Sequence, residues 1–196
     1  MRPPGGESPA QLFGQIDIYL FDQLLKDRIR STDRVLDAGC GSGRNISYLM
    51  RMGCRVSAVD TSASAVAGVR ELAQELETGL PAENFRVEAI ENLSFPDASF
   101  DVVLSSAVLH FARDGSHFHA MVDQMWRVLR PGGLLFARLA SSLGAPADGP
   151  YSYLVTPDQL EELTATLGGQ LLDPIKTTLV HRSRSMTTWV VRKDGL

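Results

Sequence analysis

Apolar positions along the chain fall in short blocks, and the period within the blocks switches between the two of a strand and the 3.6 of a helix. Arg34–Ala38, Arg55–Val59, Phe85–Ala89, Phe100–Ser105 and Leu134–Leu139 read as short buried strands. Helical spacing fills the intervals: Ile16–Arg30 before the first strand, a run from Asn45 through Met50, Ala63–Glu77, and about His117–Arg130. Thr156-Pro157-Asp158 is a helix start, with proline just inside it, for a segment running through Leu167. Two β-rich segments, Ile175–Val180 and Met186–Arg192, close the chain as a hairpin across His181-Arg182-Ser183-Arg184, which makes the last strand antiparallel. Alternating β and α elements predict an α/β fold: a doubly wound, mostly parallel seven-stranded sheet with helices on both faces.

The break after the first strand carries the most chemistry. Gly39, Gly41 and Gly43 remove the Cβ from alternate positions, so the chain can turn tightly and a ligand can approach bare peptide groups. The helix expected from Asn45 would direct N–H groups toward a carboxylate or phosphate. The second strand ends on Asp60, where a carboxylate can accept both hydroxyls of a ribose; the other reading of Asp60 is a helix N-terminal acid before Ser62. A dinucleotide fingerprint needs its third glycine one position beyond Gly43, where this chain has Arg44.

With Gly-x-Gly-x-Gly in that place, Val35–Gly43 resembles the first motif of the class I S-adenosylmethionine-dependent methyltransferases. Val59-Asp60-Thr61-Ser62 is similar to the family's second motif, Leu93–Asp101 to the segment entering its fourth strand, and Leu129-Arg130-Pro131-Gly132-Gly133 to the turn before its fifth. The spacing after Gly43 also resembles the small tellurite-resistance and thiopurine-type branch. The resemblance implies a Rossmann-like methyltransferase fold with S-adenosylmethionine as cofactor. Gly39, Gly41 and Gly43, with Cys40 between them, would then pack against its methionine and ribose parts. Asp37 would shape the turn and receive the amino group through water, and Asp60, followed by Thr61, would hold the ribose diol. The family's adenine-reading acid falls on Ala89. Glu88 stands one place before it and Glu91 two after; either carboxylate, or the backbone N–H of Ile90, is then the candidate reader, and both acids are equally readable as solvated surface charges.

In an open α/β sheet, ligands bind beyond the carboxyl ends of the strands. Ser105 and Ser106 would sit at such a tip beside the methionine part. His110 is a candidate general base for an acceptor, or a packing residue whose ring nitrogen finds a backbone partner. Arg138 interrupts an apolar strand and needs a partner, either an anionic acceptor or a nearby acid. His117 and His119, two apart, face different sides of a helix and make a poor metal pair. Phe13, Tyr19 and Phe21 are core or lid residues of the first helix, and Tyr151 and Tyr153 are candidate gates after a Gly/Ala/Pro-rich loop. Arg182 and Arg184 read as solvated turn charges.

Composition narrows the class. At 196 residues with 44% apolar content, one domain with a sizeable core is expected, over residues 11–196 after a flexible lead at 1–10. A net charge of −4 argues against constitutive nucleic-acid binding. Two cysteines, Cys40 and Cys54, build no disulfide framework, and no stretch has transmembrane length, so a reduced, cytoplasmic setting is expected. The expectation is methyl transfer to a small molecule by in-line displacement, metal-independent, by a monomer or homodimer that engages neither nucleic acid nor membrane. The competing readings are a nicotinamide-dependent oxidoreductase and a non-catalytic binding module.

Overall fold

The computed structural model describes residues 8–143, 151–180 and 184–195. The stretch expected as a lead, apart from its last three residues, the Gly/Ala/Pro-rich segment 144–150 and residues 181–183, where a turn with Arg182 was expected, lie outside the described set. The elements run α1 (Pro9–Phe13), α2 (Ile18–Leu25), β1 (Arg34–Ala38), α3 (Ser47–Met52), β2 (Arg55–Asp60), α4 (Ala63–Glu75) and β3 (Phe85–Val87). They continue β4 (Phe100–Ser106), α5 (Gly115–Val128), β5 (Leu129–Ala140), α6 (Pro157–Thr166), β6 (Gly169–Leu171), β7 (Lys176–Val180) and β8 (Arg184–Lys193).

The strands form one sheet in the order β3-β2-β1-β4-β5-β8-β6, with β7 also on β8. Pairings from β3 to β5 are parallel and those to β8 antiparallel, so the expected doubly wound sheet with a reversed end is present. Among the described residues there are eight strands rather than seven because one edge is split: β6 pairs with β8 from Gly169↔Lys193 to Leu171↔Val191, and β7 from Lys176↔Thr188 to Val180↔Arg184. Pro174 lies in the gap and has no N–H to give the ladder.

Alternation along the strands sends side chains to two cores. Val35, Val56, Ala58, Leu104 and Phe136 pack under α2, α3 and α4, while Leu36, Val103, Leu135, Ala137 and Trp189 pack under α5 and α6. Caps mark several boundaries: Ser62 caps α4, Asp114 caps α5, and Thr156 with Gln159 closes a capping box on α6.

The helix expected over Ile16–Arg30 is shorter. Asp17 caps α2 by accepting from the Tyr19 N–H, and the chain leaves the helix at Lys26 before Asp27 turns to φ +55°. A separate turn of helix, α1, starts at Pro9, inside the stretch expected as lead. The helix after the glycine turn starts at Ser47 rather than Asn45.

Candidate active site

The loop from Gly39 to Asn45 leaves β1 at its carboxyl end and is tied to β2: the Gly39 and Cys40 N–H groups donate to the Val59 carbonyl at 2.9 and 3.0 Å. The Gly41 N–H donates to Asp60 Oδ2 at 2.9 Å, and the Ser62 N–H to Oδ1 at 2.9 Å. Asp60 thus braces the loop and the start of α4, which is the helix N-terminal reading of this residue. The glycines divide their work. A Cβ on Gly39 would lie 2.5 Å from Val108 Cγ2, and one on Gly43 would crowd Val69 and Leu72 of α4, whereas one on Gly41 would meet nothing within 4 Å. Of these three, Gly41 alone turns its bare Cα to open space, at φ +50°.

That space is a cleft of about 610 Å³. Its walls bring together Gly39, Cys40, Gly41, Asp60, Thr61, Ile90 and Glu91 from the sequence-based set. Asp37, Gly43, Ala89, Ser105, His110 and Arg138 are not among its lining residues. The reasons are local. Gly43 packs on α4. Ala89 only precedes the turn Ile90–Asn92 that reaches the cleft. Strand alternation turns Ser105 toward the α5 face, fully buried with its hydroxyl unpartnered, and it is Ser106 that lines the cleft.

His110 is buried, and its Nδ1 accepts the Ala140 N–H at 3.0 Å. Burial, with the Arg184 charge adding, lowers its pKa to about 4. With Nδ1 occupied, the neutral ring carries its proton on Nε2 and is no proton acceptor, so the packing reading replaces the general-base expectation. Arg138 likewise has found an acid: Nη1 lies 2.6 Å from Oδ2 of Asp17, whose side chain is fully buried. The ion-pair reading therefore replaces direct action on an acceptor.

Several cleft residues carried no clear sequence signal. Arg44 reaches across the opening, donating from Nη1 to the Gln15 carbonyl and from Nη2 to Ser106 Oγ, both at 3.2 Å, with Asp17 Oδ2 3.9 Å from Nη2. Asn45 accepts the Asp17 N–H at 2.9 Å. The start of α2 is therefore pinned to the glycine loop. At the other end, His117 Nε2 approaches Glu91 Oε1 at 2.9 Å, an ion-pair distance without the alignment of a hydrogen bond, while its Nδ1 accepts the Arg113 N–H. Burial tends to raise the Glu91 pKa, but its backbone N–H, His117 and Arg113 together hold it below the usual range. Glu88 is held by Ser94. Starting α5 at Gly115 rather than His117 places His117 in the first turn, facing the cleft; the helical period alone set it aside. Among the described residues no group of three or more metal-ligating side chains occurs.

Asp37 lies beneath the loop. Burial raises its pKa to about 7, against the pull of Arg44 and with the push of Asp60. Because the folded value exceeds the unfolded one, the native state binds the additional proton, and stability falls as pH rises from about 4 to 7. Asp37→Asn should lose that slope, gaining on the order of 2–4 kcal/mol relative to wild type across the window in urea unfolding. Parallel pH profiles for the two proteins would refute the shift.

A family described as Methyltransferase domain matches residues 36–137, from β1 to β5. The chain belongs to the class I S-adenosylmethionine-dependent methyltransferase family. It is 39% identical over 104 residues to a ubiquinone biosynthesis O-methyltransferase of Methylocella silvestris, covering 53% of this chain and 38% of that one. It is 30% identical over 177 residues to the protein of that name from Chelativorans sp., covering 78% and 67%. TehB from Haemophilus influenzae superposes with a TM-score of 0.76 at 21% identity, covering 91% of this chain and 63% of that one. That likeness shows the fold and does not select the tellurite-resistance branch. The methyltransferase chain spans 38% of the length of the first relative. No helix among the described residues is long and apolar enough to cross a membrane.

Proposed function

We propose that this methyltransferase chain moves a methyl group from S-adenosylmethionine to an oxygen nucleophile on a small molecule. One observation carries the reading. Gly41 faces open space at the floor of a nucleoside-sized cleft, and the Asp60 carboxylate stands directly beside it. A side chain at position 41 would fill that cradle, which fits a ligand lying on the backbone. Bound there, S-adenosylmethionine supplies a methyl group on a positively charged sulfur.

The chain's own part is to bind, orient and exclude water. Asp60 would exchange its bond from Gly41 for a ribose hydroxyl, Gly39–Gly41 would carry the ribose and methionine parts, and Ile90 with Glu88 or Glu91 would frame the adenine. Ser106, Ala107, Val108 and Phe111 wall the side beyond β4. None of these four is a titratable base, which suits an acceptor oxygen that arrives ionised or yields its proton to solvent. That the relatives are O-methyltransferases favours oxygen. We read residues 11–196 as one domain, cytoplasmic, monomeric or homodimeric, and acting on neither nucleic acid nor membrane.

Calorimetry with S-adenosylhomocysteine and with NAD tests the reading, since binding of NAD alone would favour a nicotinamide-dependent oxidoreductase. Failure to release S-adenosylhomocysteine with any of a panel of phenols, alcohols and carboxylates would favour a binding module. Asp60→Ala should weaken S-adenosylhomocysteine by about 1.5–3 kcal/mol, as for a lost charge-assisted hydrogen bond. Unchanged affinity would remove Asp60 from the ribose site.

A further inference from the structure

A second cavity, of about 630 Å³, lies between α2 and the reversed end of the sheet and shares no lining residue with the cleft. Thr188 and Lys176 line it, and strand register sets them at the end of a longer row that begins outside the cavity. Ser106 pairs with Arg138, Arg138 with Thr188, and Thr188 with Lys176, so these four side chains form one row across β4, β5, β8 and β7, on the α2 face. Thr188 is 7% exposed, lines the cavity, and its Oγ1 is buried with no hydrogen-bond partner. Arg138 uses Nη1 on Asp17, but its Nε is also buried and unpartnered. Two neighbouring residues of one row therefore hold unsatisfied buried polar atoms, and such atoms ordinarily have partners.

Of the two, Thr188 lines the cavity, and its surroundings decide the charge and shape of what would satisfy the hydroxyl. Asp22 and Asp173, the carboxylates at the rim, are engaged by Lys26 and Arg28. Lys176 has no carboxylate in ion-pair range among the described residues; its Nζ lies 5.3 Å from the Tyr19 ring centroid, and the Arg138 guanidinium lies 5.0 Å from it. The positive charge of Lys176 thus flanks the Thr188 hydroxyl, while that of Arg138 is met by Asp17. The rest of the wall is apolar: Ile175, Val190 and Ile18, the last 71% exposed. Tyr19 roofs the cavity and is pinned by its hydroxyl to Thr178 Oγ1 at 2.8 Å, so the space is preformed.

We propose that this cavity is a binding site, distinct from the cofactor cleft, for a small amphiphilic carboxylate. Its oxygens accept from Thr188 Oγ1 beside Lys176, and its apolar body covers Ile18, Ile175 and Val190. The site makes opposite demands on Thr188 with and without ligand. Unliganded, the buried hydroxyl is a cost, so the near-isosteric Thr188→Val should raise the melting temperature by about 2–4 °C. Liganded, the same change removes a donor.

The test is calorimetric titration of octanoate into the full chain, with inorganic phosphate and S-adenosylhomocysteine as controls. One octanoate per chain is expected, weakened at least tenfold by Thr188→Val and by Lys176→Gln and restored toward wild type by Thr188→Ser, with S-adenosylhomocysteine affinity unaltered in all three. Absence of octanoate binding, equal octanoate affinity in wild type and Thr188→Val, a lowered melting temperature in unliganded Thr188→Val, or phosphate binding as tightly as octanoate would each overturn the proposal.

Discussion

Gly41→Val is expected to weaken S-adenosylhomocysteine binding by at least about a hundredfold, some 2.7 kcal/mol, while leaving the circular dichroism native. The two effects separate because of where the new atoms go. In the unliganded protein a Cβ at position 41 meets nothing within 4 Å, so no neighbour has to move. The remaining folding cost is that of a β-branched residue at φ +50°, about 1–3 kcal/mol, which urea unfolding should register. The added methyls would occupy the cleft floor beside Asp60, where the proposed cofactor lies on the backbone. Gly39→Val makes a contrast. Its Cβ would come within 2.5 Å of Val108, so that variant should lose stability and binding together. Retained binding in a folded Gly41→Val protein would show that the turn is only structural.

Asp17→Ala should be the most destabilising single change outside the apolar core, by about 3–5 kcal/mol in denaturant unfolding. Its carboxylate is fully buried, 2.6 Å from Arg138 and 3.9 Å from Arg44, and also caps α2. Removing it leaves the largely buried Arg138 guanidinium without its counter-charge. Arg138→Met made in the Asp17→Ala background should recover part of the loss, because the uncompensated charge is then gone as well. If Asp17→Ala costs less than 1 kcal/mol, roughly the worth of an exposed pair, the pair is not structural. Because Asn45 accepts the Asp17 N–H and Arg44 donates to the neighbouring Gln15 carbonyl, freeing α2 should also weaken S-adenosylhomocysteine, through loosened loop residues.

How much was legible depended on how local the determining interaction is. β1 and the body of β2, α4 and β8 follow from period and turn chemistry, since each is specified within a few residues of itself. The glycine turn, Asp60 and Thr61 were readable for the same reason: a strand, a turn lacking Cβ atoms and an acid at a strand tip are short-range facts. The sequence also placed a cation in the β5 strand at Arg138 and recognised that it needed an anion.

What tertiary structure alone decided is which partner each polar group met. Asp17, 121 residues away, claims Arg138; Ala140 claims the ring of His110; Glu91 approaches His117. A one-residue question of alternation, Ser105 against Ser106, was settled by how β4 seats between β1 and β5. The split of one sheet edge into β6 and β7 arises around Pro174, but which β8 residues each half meets is a matter of register. By itself the sequence determined the backbone cradle and its carboxylate, because local geometry builds them. The fate of the Arg138 charge was decided by the fold, because only chain closure over 121 residues brings the Asp17 carboxylate within 4 Å of it.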